Sequence, residues 1–223
     1  MSSGADVQHE QAGRTIYATA LVNRNSSVLA TLQQANARRE EQGQRFNYNE
    51  LCALTIGAVI RAAVGTSLSE FAQDSLWQPM GAEGDATWLT DSEGAEFNCV
   101  GFAARLRDWA RLGLLVAGRG KVNGVQVISS AWIDGYSHWT KADAQVRYGA
   151  LPGRTRDRLQ GYKSFVWHAK ADGSQPVFFG AQGQVVMIDM PTGTVLVQTA
   201  VDDAGGWFQE LYALFQAATE IRS

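Results

Sequence analysis

The sequence predicts an α+β protein, a helical region followed by an antiparallel sheet with a C-terminal helix packed on it. Three observations carry this. Apolar residues recur at helical spacing in several segments of the first 160 residues. From Tyr162 onward the pattern changes to short runs of β-branched and aromatic residues. Short turns such as Pro191-Thr192-Gly193 join these runs, which makes them antiparallel neighbours, and Trp207–Ile221 ends the chain as an amphipathic helix. The expected organisation is one domain over 1-223, with 1-160 mainly helical and 161-223 holding the strands and the terminal helix.

The length of 223 residues suffices for one substantial core. A net charge of -3 and the lack of a Lys/Arg run argue against a nucleic-acid or membrane partner. No stretch reaches the roughly 18–20 apolar residues of a transmembrane helix. The polar start, Met1-Ser2-Ser3-Gly4-Ala5-Asp6, does not read as a signal peptide. Cys52 and Cys99 are too few for a disulfide framework, so the compartment stays unassigned. His9, His138 and His168 have no metal-like spacing; neither a metal nor another cofactor is expected.

In chain order, Met1–Asn25 is polar and irregular, and Ser26–Gln34 reads as a short helix capped by Ser26 or Ser27. The helix after Tyr48 is predicted from Leu51, Leu54, Ala58 and Ala62, with Ile56, Val59 and Ile60 widening its apolar face. Asn49 is its N-cap and Gly65 its stop. Thr66–Trp77 is a second helix capped by Ser67 and ended by Trp77-Gln78-Pro79-Met80-Gly81. Asp85–Leu89 is extended. Gly101–Leu115 is a helix with Leu106, Trp109, Ala110 and Leu114 on one face, and Arg107 and Asp108 as an internal charge pair. Asn123-Gly124 marks a hairpin, Ser130–Tyr136 a helix, and His138–Leu159 a long surface loop. Tyr162–His168, Val177–Met190 and Thr194–Val201 are the extended segments. In the last helix Trp207, Phe208, Leu211, Leu214, Phe215 and Ala218 are expected to face inward.

Tyr48 stands at a helix N-terminus, where unpaired N–H groups and the helix dipole favour negative charge. Two readings follow: a phenol steered toward phenolate, or a half-buried packing residue with a satisfied hydroxyl. Phe178-Phe179-Gly180-Ala181-Gln182-Gly183-Gln184 is read as part of a strand, with glycines either for close approach of a ligand or at bends of a bulged core strand.

Tyr48-x-Glu50 followed by Ile56-Gly57, Leu76–Trp88, and Arg107–Gly113 resemble segments of class C β-lactamase-like serine hydrolases. That group includes family VIII carboxylesterases, penicillin-binding-protein-like enzymes and 6-aminohexanoate-dimer hydrolases. The resemblance implies a β-lactamase/transpeptidase-like fold. It also implies a small ester or amide substrate, and Tyr48 as the acid/base beside a Ser-x-x-Lys nucleophile. Glu50 would support Tyr48 at a position that usually holds Asn or Ser. The segment Gly180–Gln184 corresponds to the strand that lines the substrate, with the Ala181 N–H as oxyanion donor and Gly180 and Gln184 beside it. Phe178 in the lysine position favours apolar esters or amides over β-lactams.

The nucleophile itself is absent from this sequence. Its four lysines, Lys121, Lys141, Lys163 and Lys170, are preceded at three residues by Gly118, His138, Gln160 and Trp167. Gly-x-Ser-x-Gly is absent too. The resemblance therefore implies a C-terminal portion whose N-terminal strands and nucleophile helix are missing, inactive by itself. The alternatives are a non-catalytic small-ligand or protein-binding module and a half-enzyme completed by another chain. Without those strands, Thr194–Val201 is expected to be an open sheet edge prone to self-association.

Overall fold

The computed structural model describes residues 1–7, 16–35, 37–137, 159–201 and 206–221. They form two compact units. The first is built from Met1–Trp77 with Asp85–Ala104; the second from Gln78–Gly84 and the described residues between 105 and 223.

In the first unit the α-helices of the described residues start where the sequence supplies a cap. Ser27 Oγ accepts the Ala30 N–H at the head of α1 (Val28–Gln34). Asn49 Oδ1 accepts the Cys52 N–H at 3.0 Å at the head of α2 (Glu50–Val64), and Gly65 closes that helix at φ 73. Such a cap contributes about 1 kcal/mol. Ser67 and Glu70 form a reciprocal capping box on α3 (Leu68–Ala72), whose last turn widens into a π-helical turn over Gln73–Trp77. A two-stranded ribbon follows, β1 (Thr87–Trp88) with β2 (Phe102–Ala103), so Phe102–Ala103 is strand where the first turn of a helix was expected. Trp77 and Trp88 both meet the Phe102 ring edge-on.

The core of this unit is Ala20, Val28, Leu51, Leu54 and Phe97. The loop after β1 is held by Asp91, which is buried. One carboxylate oxygen accepts the Glu93 and Ala95 N–H groups at 2.9 Å each, and the other accepts the Val28 N–H at 2.7 Å. A charge there is tolerated because three donors replace its water. Helix α2 buries Leu51, Leu54 and Gly57, but Ile56 and Val59 are 45% and 57% exposed. They do not widen the buried face. One side of α2 finds partners, and the apolar residues opposite stay on the surface. No single helix among the described residues is long and apolar enough to cross a membrane.

The second unit contains α4 (Leu106–Ala117), the hairpin β3 (Lys121–Val122) and β4 (Val125–Gln126), and α5 (Ser130–Ser137). Asn123 and Gly124 both take positive φ in that hairpin, as the turn demands. Residues 138–158 of the expected surface loop lie outside the described residues. The five-stranded antiparallel sheet runs in sequence order: β5 (Gly161–Lys163), β6 (Val166–His168), β7 (Pro176–Phe179), β8 (Val185–Asp189) and β9 (Thr194–Gln198). The stretch Tyr162–His168 is two strands, because Ser164 and Phe165 both take positive φ and turn the chain. Helix α6 (Trp207–Glu220) follows.

Helix α4 packs on β8 and β9. Gly113 lets it approach closely: a Cβ there would lie 2.6 Å from Val195 Cγ1 and 3.0 Å from Val186 Cγ1. The buried residues of α4 are Asp108, Gly113, Leu115 and Val116, whereas Leu106 and Leu114 are exposed, contrary to expectation. Asp108 pairs with Arg111 at 3.0 Å and accepts the Glu83 N–H at 2.8 Å. The expected charge pair therefore uses Arg111, one helical turn on from Asp108. In α6 Phe208, Phe215 and Thr219 face the core, while Leu214 is 61% exposed. Gln175, fully buried, joins this helix to the sheet. Its amide donates to Asp189 Oδ1 at 2.8 Å, and its carbonyl accepts from Tyr212 Oη at 2.8 Å and Gln216 Nε2 at 3.2 Å. The polar group is affordable in the core because both of its ends are satisfied.

Candidate functional site

The residues singled out from sequence fall into two groups. Tyr48 and Glu50 belong to the first unit; Gly180, Ala181 and Gln184 belong to the second.

Tyr48 lies half-buried immediately before the α2 cap, beside the buried Phe46 ring at 6.5 Å between centroids. Its flanks are pinned to the start of the chain. The Asn47 N–H donates to the Met1 carbonyl at 2.8 Å, and Asn47 Nδ2 donates to the Val7 carbonyl at 2.7 Å. Asn49 Nδ2 in turn donates to the Asn47 carbonyl at 2.9 Å. The backbone at Tyr48 is thus fixed from both sides.

The electrostatics run opposite to the phenolate reading. Burial raises the Tyr48 phenol above its ordinary value, and Glu50 and Cys99 raise it further. The net shift is upward despite the helix N-terminus, with burial as the largest effect and the Glu50 carboxylate in the same first turn adding to it. Tyr48 is therefore a neutral hydroxyl at physiological pH, able to donate a hydrogen bond or a proton but not poised as a base. Cys99 is similarly pushed up to about 12, by burial first and then by Glu50, and is an inert thiol.

Gly57 has a specific role next to this group. A Cβ there would fall 2.3 Å from Asn98 Oδ1, because Asn98 lies flat on α2 and donates to the Ala53 carbonyl at 2.5 Å. The glycine in Ile56-Gly57 leaves room for that amide. Spacing in the sequence gave no signal for Asn98, whose partner lies 45 residues away.

Gly180–Gln184 is not a strand. It is the turn between β7 and β8, with a 3-10 turn over Ala181–Gly183 and positive φ at Gln182 (58) and Gly183 (88). The Gly180 N–H donates to the Gln184 carbonyl at 2.8 Å, and the Gln184 N–H to the Ala181 carbonyl at 3.3 Å. A Cβ on Gly180 would lie 2.8 Å from the Gln184 Cβ, which accounts for that glycine. Two side chains pin the turn to the end of the sheet. The Gln184 side-chain amide donates to the Ala200 carbonyl, and Gln198 Nε2 donates to the Gly183 carbonyl at 3.1 Å. Gln184 thus has a structural partner. Ala181 stands exposed at the tip of a fixed turn, and Phe179 below it stacks on Trp207 at 5.6 Å. Phe178, expected at the substrate, packs instead against the core cluster of Val186, Ile188 and Tyr136.

Among the described residues, no group of three or more His, Cys, Asp or Glu side chains could hold a metal ion. Buried carboxylates are engaged structurally: Glu96 accepts the Ser69 hydroxyl at 2.6 Å and its N–H at 3.0 Å.

No family model and no curated protein matches this sequence. Solved structures do. A protein described as a 6-aminohexanoate-dimer hydrolase from Bacillus anthracis superposes with a TM-score of 0.77 at 22% identity, over 98% of this chain. A penicillin binding protein from Bacillus halodurans gives 0.66 at 13% identity over 97%. EstCE1, a hydrolase with promiscuous acyltransferase activity, gives 0.62 at 14% over 87%. The chain spans 57%, 70% and 62% of those proteins' respective lengths. At such identities the likeness establishes the fold, helices with an antiparallel sheet and a C-terminal helix.

Proposed function

From the β-lactamase/transpeptidase-like fold of this chain, we propose that it is a portion of a serine hydrolase, an esterase or amidase acting on small acyl esters or amides, and that it is inactive by itself. The observation that carries this reading is the structural likeness over 98% of the chain to a protein described as a 6-aminohexanoate-dimer hydrolase. Acyl transfer requires a nucleophile, a proton carrier and oxyanion donors. In this reading the Tyr48 hydroxyl carries the proton and the Ala181 N–H faces the oxyanion. Gly180 gives the turn its close return, Gln184 holds it still, and Glu50 adds to the burial that keeps the Tyr48 phenol protonated. The serine and the lysine are supplied from outside this sequence, which contains no Ser-x-x-Lys. A cation delivered beside Tyr48 would counter the upward push on its phenol and allow it to act as a base.

The test is direct. The purified chain should hydrolyse p-nitrophenyl esters and chromogenic cephalosporins no faster than buffer, and a fluorophosphonate probe should label no serine. Turnover abolished by Tyr48→Phe would show an activated nucleophile within this chain and overturn the assignment of inactivity. A second reading, a non-catalytic module that binds a small ligand or a protein, is favoured by the neutral phenol and by the Gln184 side chain tied to Ala200. Nothing in the charge favours nucleic acid or a membrane as partner.

A further inference from the structure

The antiparallel register brings two turns to one end of the sheet. Trp167 of β6 pairs with Val177 of β7, and His168 with Pro176. Running back along β6 therefore leads to the same end as running forward along β7. The β5–β6 turn, Ser164-Phe165, thus stands at the end where Phe179 leads into the Gly180–Gln184 turn. Both residues of the β5–β6 turn hold positive φ, 51 at Ser164 and 66 at Phe165. A two-residue hairpin turn of that kind selects Asn-Gly, and a bulky aromatic in it is strained. Such strain gathers at active sites and ligand clamps, and the ring held there is 42% exposed. Trp207 flanks the second turn. A Cβ on Gly183 would lie 3.5 Å from Trp207 Cε2, and the indole stacks on Phe179 at 5.6 Å. Both of those rings are half-buried, whereas Phe208 and Phe215 of the same helix are in the core.

Resting on the reading of the Ala181 N–H as an oxyanion donor, we propose that Phe165, Phe179 and Trp207 are the apolar subsite beside it. The substrate is then an ester or amide whose acyl part is an apolar chain. A carbonyl oxygen accepting from the Ala181 N–H lies about 3 Å from that nitrogen. The chain on the same carbonyl is thereby delivered to the end of the sheet where these rings stand. None of the three carries a charge, and aromatic rings offer a large apolar surface. Phe178, the neighbour of Phe179, packs into the core cluster instead and has no part in this subsite.

The test uses the full chain and an uncharged amide that needs no nucleophile to bind. N-methylhexanamide titrated into the 15N-labelled chain should shift the Ala181 and Gly183 amides and the Trp207 indole N–H, with a millimolar dissociation constant. N-methylacetamide has the carbonyl without the chain and should bind roughly fivefold more weakly or worse. Phe165→Gly should weaken hexanamide binding roughly threefold or more. The same variant should leave the thermal midpoint unchanged or raised, because glycine takes positive φ without strain. Shifts at Trp207 without Ala181 would refute the oxyanion role of the turn and, with it, the proposal. Shifts at Ala181 that are alike for both amides would refute the subsite alone. Tighter binding of N-methyl-6-aminohexanamide would also overturn it, by showing that the rings hold a cation. So would a Phe165→Gly chain that binds like the parent, or one that unfolds at a markedly lower temperature, since Phe165 would then be a packing residue. If that variant does not fold, the comparison of the two amides on the unmodified chain decides.

Discussion

His168 should make this protein lose stability as the pH falls below neutrality. Its imidazole is completely buried at the end of β6, near the Tyr136 ring at 6.4 Å. Burial lowers its pKa to about 4; the Gly173 and Tyr136 backbone carbonyls oppose that shift, Lys163 adds to it and Asp172 resists it. A histidine whose folded pKa is depressed contributes stability above the unfolded value, near 6.5, and loses it as pH falls toward the folded one. Between about pH 8 and about pH 5 the unfolded imidazole takes up a proton that the folded one refuses, a loss of about 2 kcal/mol. Most carboxylates remain ionised over that window, which isolates the histidine contribution. Urea denaturation across the range, in a background with His9→Gln and His138→Gln, should show this slope, and His168→Gln should flatten it whatever its own cost to stability. The reasoning fails if the slope survives His168→Gln, or if the His168 ring is seen by NMR to titrate near 6.5 in the folded protein.

The Tyr48 phenol should ionise above its ordinary value of about 10; the difference in 295 nm absorbance between the parent and Tyr48→Phe on alkaline titration should show no phenolate below that point. Asp91→Asn keeps the acceptor for Glu93 and Ala95 but turns an amide donor toward the Val28 N–H, and should cost roughly 2 kcal/mol or more in chemical denaturation. Gly57→Ala should destabilise, although alanine is favoured over glycine in a helix by about 1 kcal/mol, because the new Cβ expels Asn98 from the Ala53 carbonyl. Adding Asn98→Ala should recover most of the loss in a double-mutant cycle. Gly113→Val should cost roughly 3 kcal/mol or more by driving α4 off Val195 and Val186, read as a lowered midpoint in thermal unfolding.

Much of the architecture is local, and the sequence determined it. Asn49, Ser27 and Ser67 announce the helix starts because a short side-chain oxygen satisfies an N–H within three residues, and Gly65 announces a stop because it alone takes the left-handed turn without strain. Asn123-Gly124 fixed its hairpin for the same reason. The change of period near Tyr162 marked the sheet, and the exact absence of Ser-x-x-Lys is a property of the sequence itself. What tertiary structure decided depends on partners far along the chain. Which face of α2, α4 or α6 is buried could not be read where apolar residues surround the helix, so Ile56, Val59, Leu114 and Leu214 emerged on the surface. Gly180–Gln184 became a turn because two glutamine amides tie it to the end of the sheet. The protonation of Tyr48 followed from desolvation and from Glu50 and Cys99, and these outweigh the helix dipole that sequence position alone suggested. Burial and long-range contact have no signature in spacing, and here they set the chemistry of Tyr48.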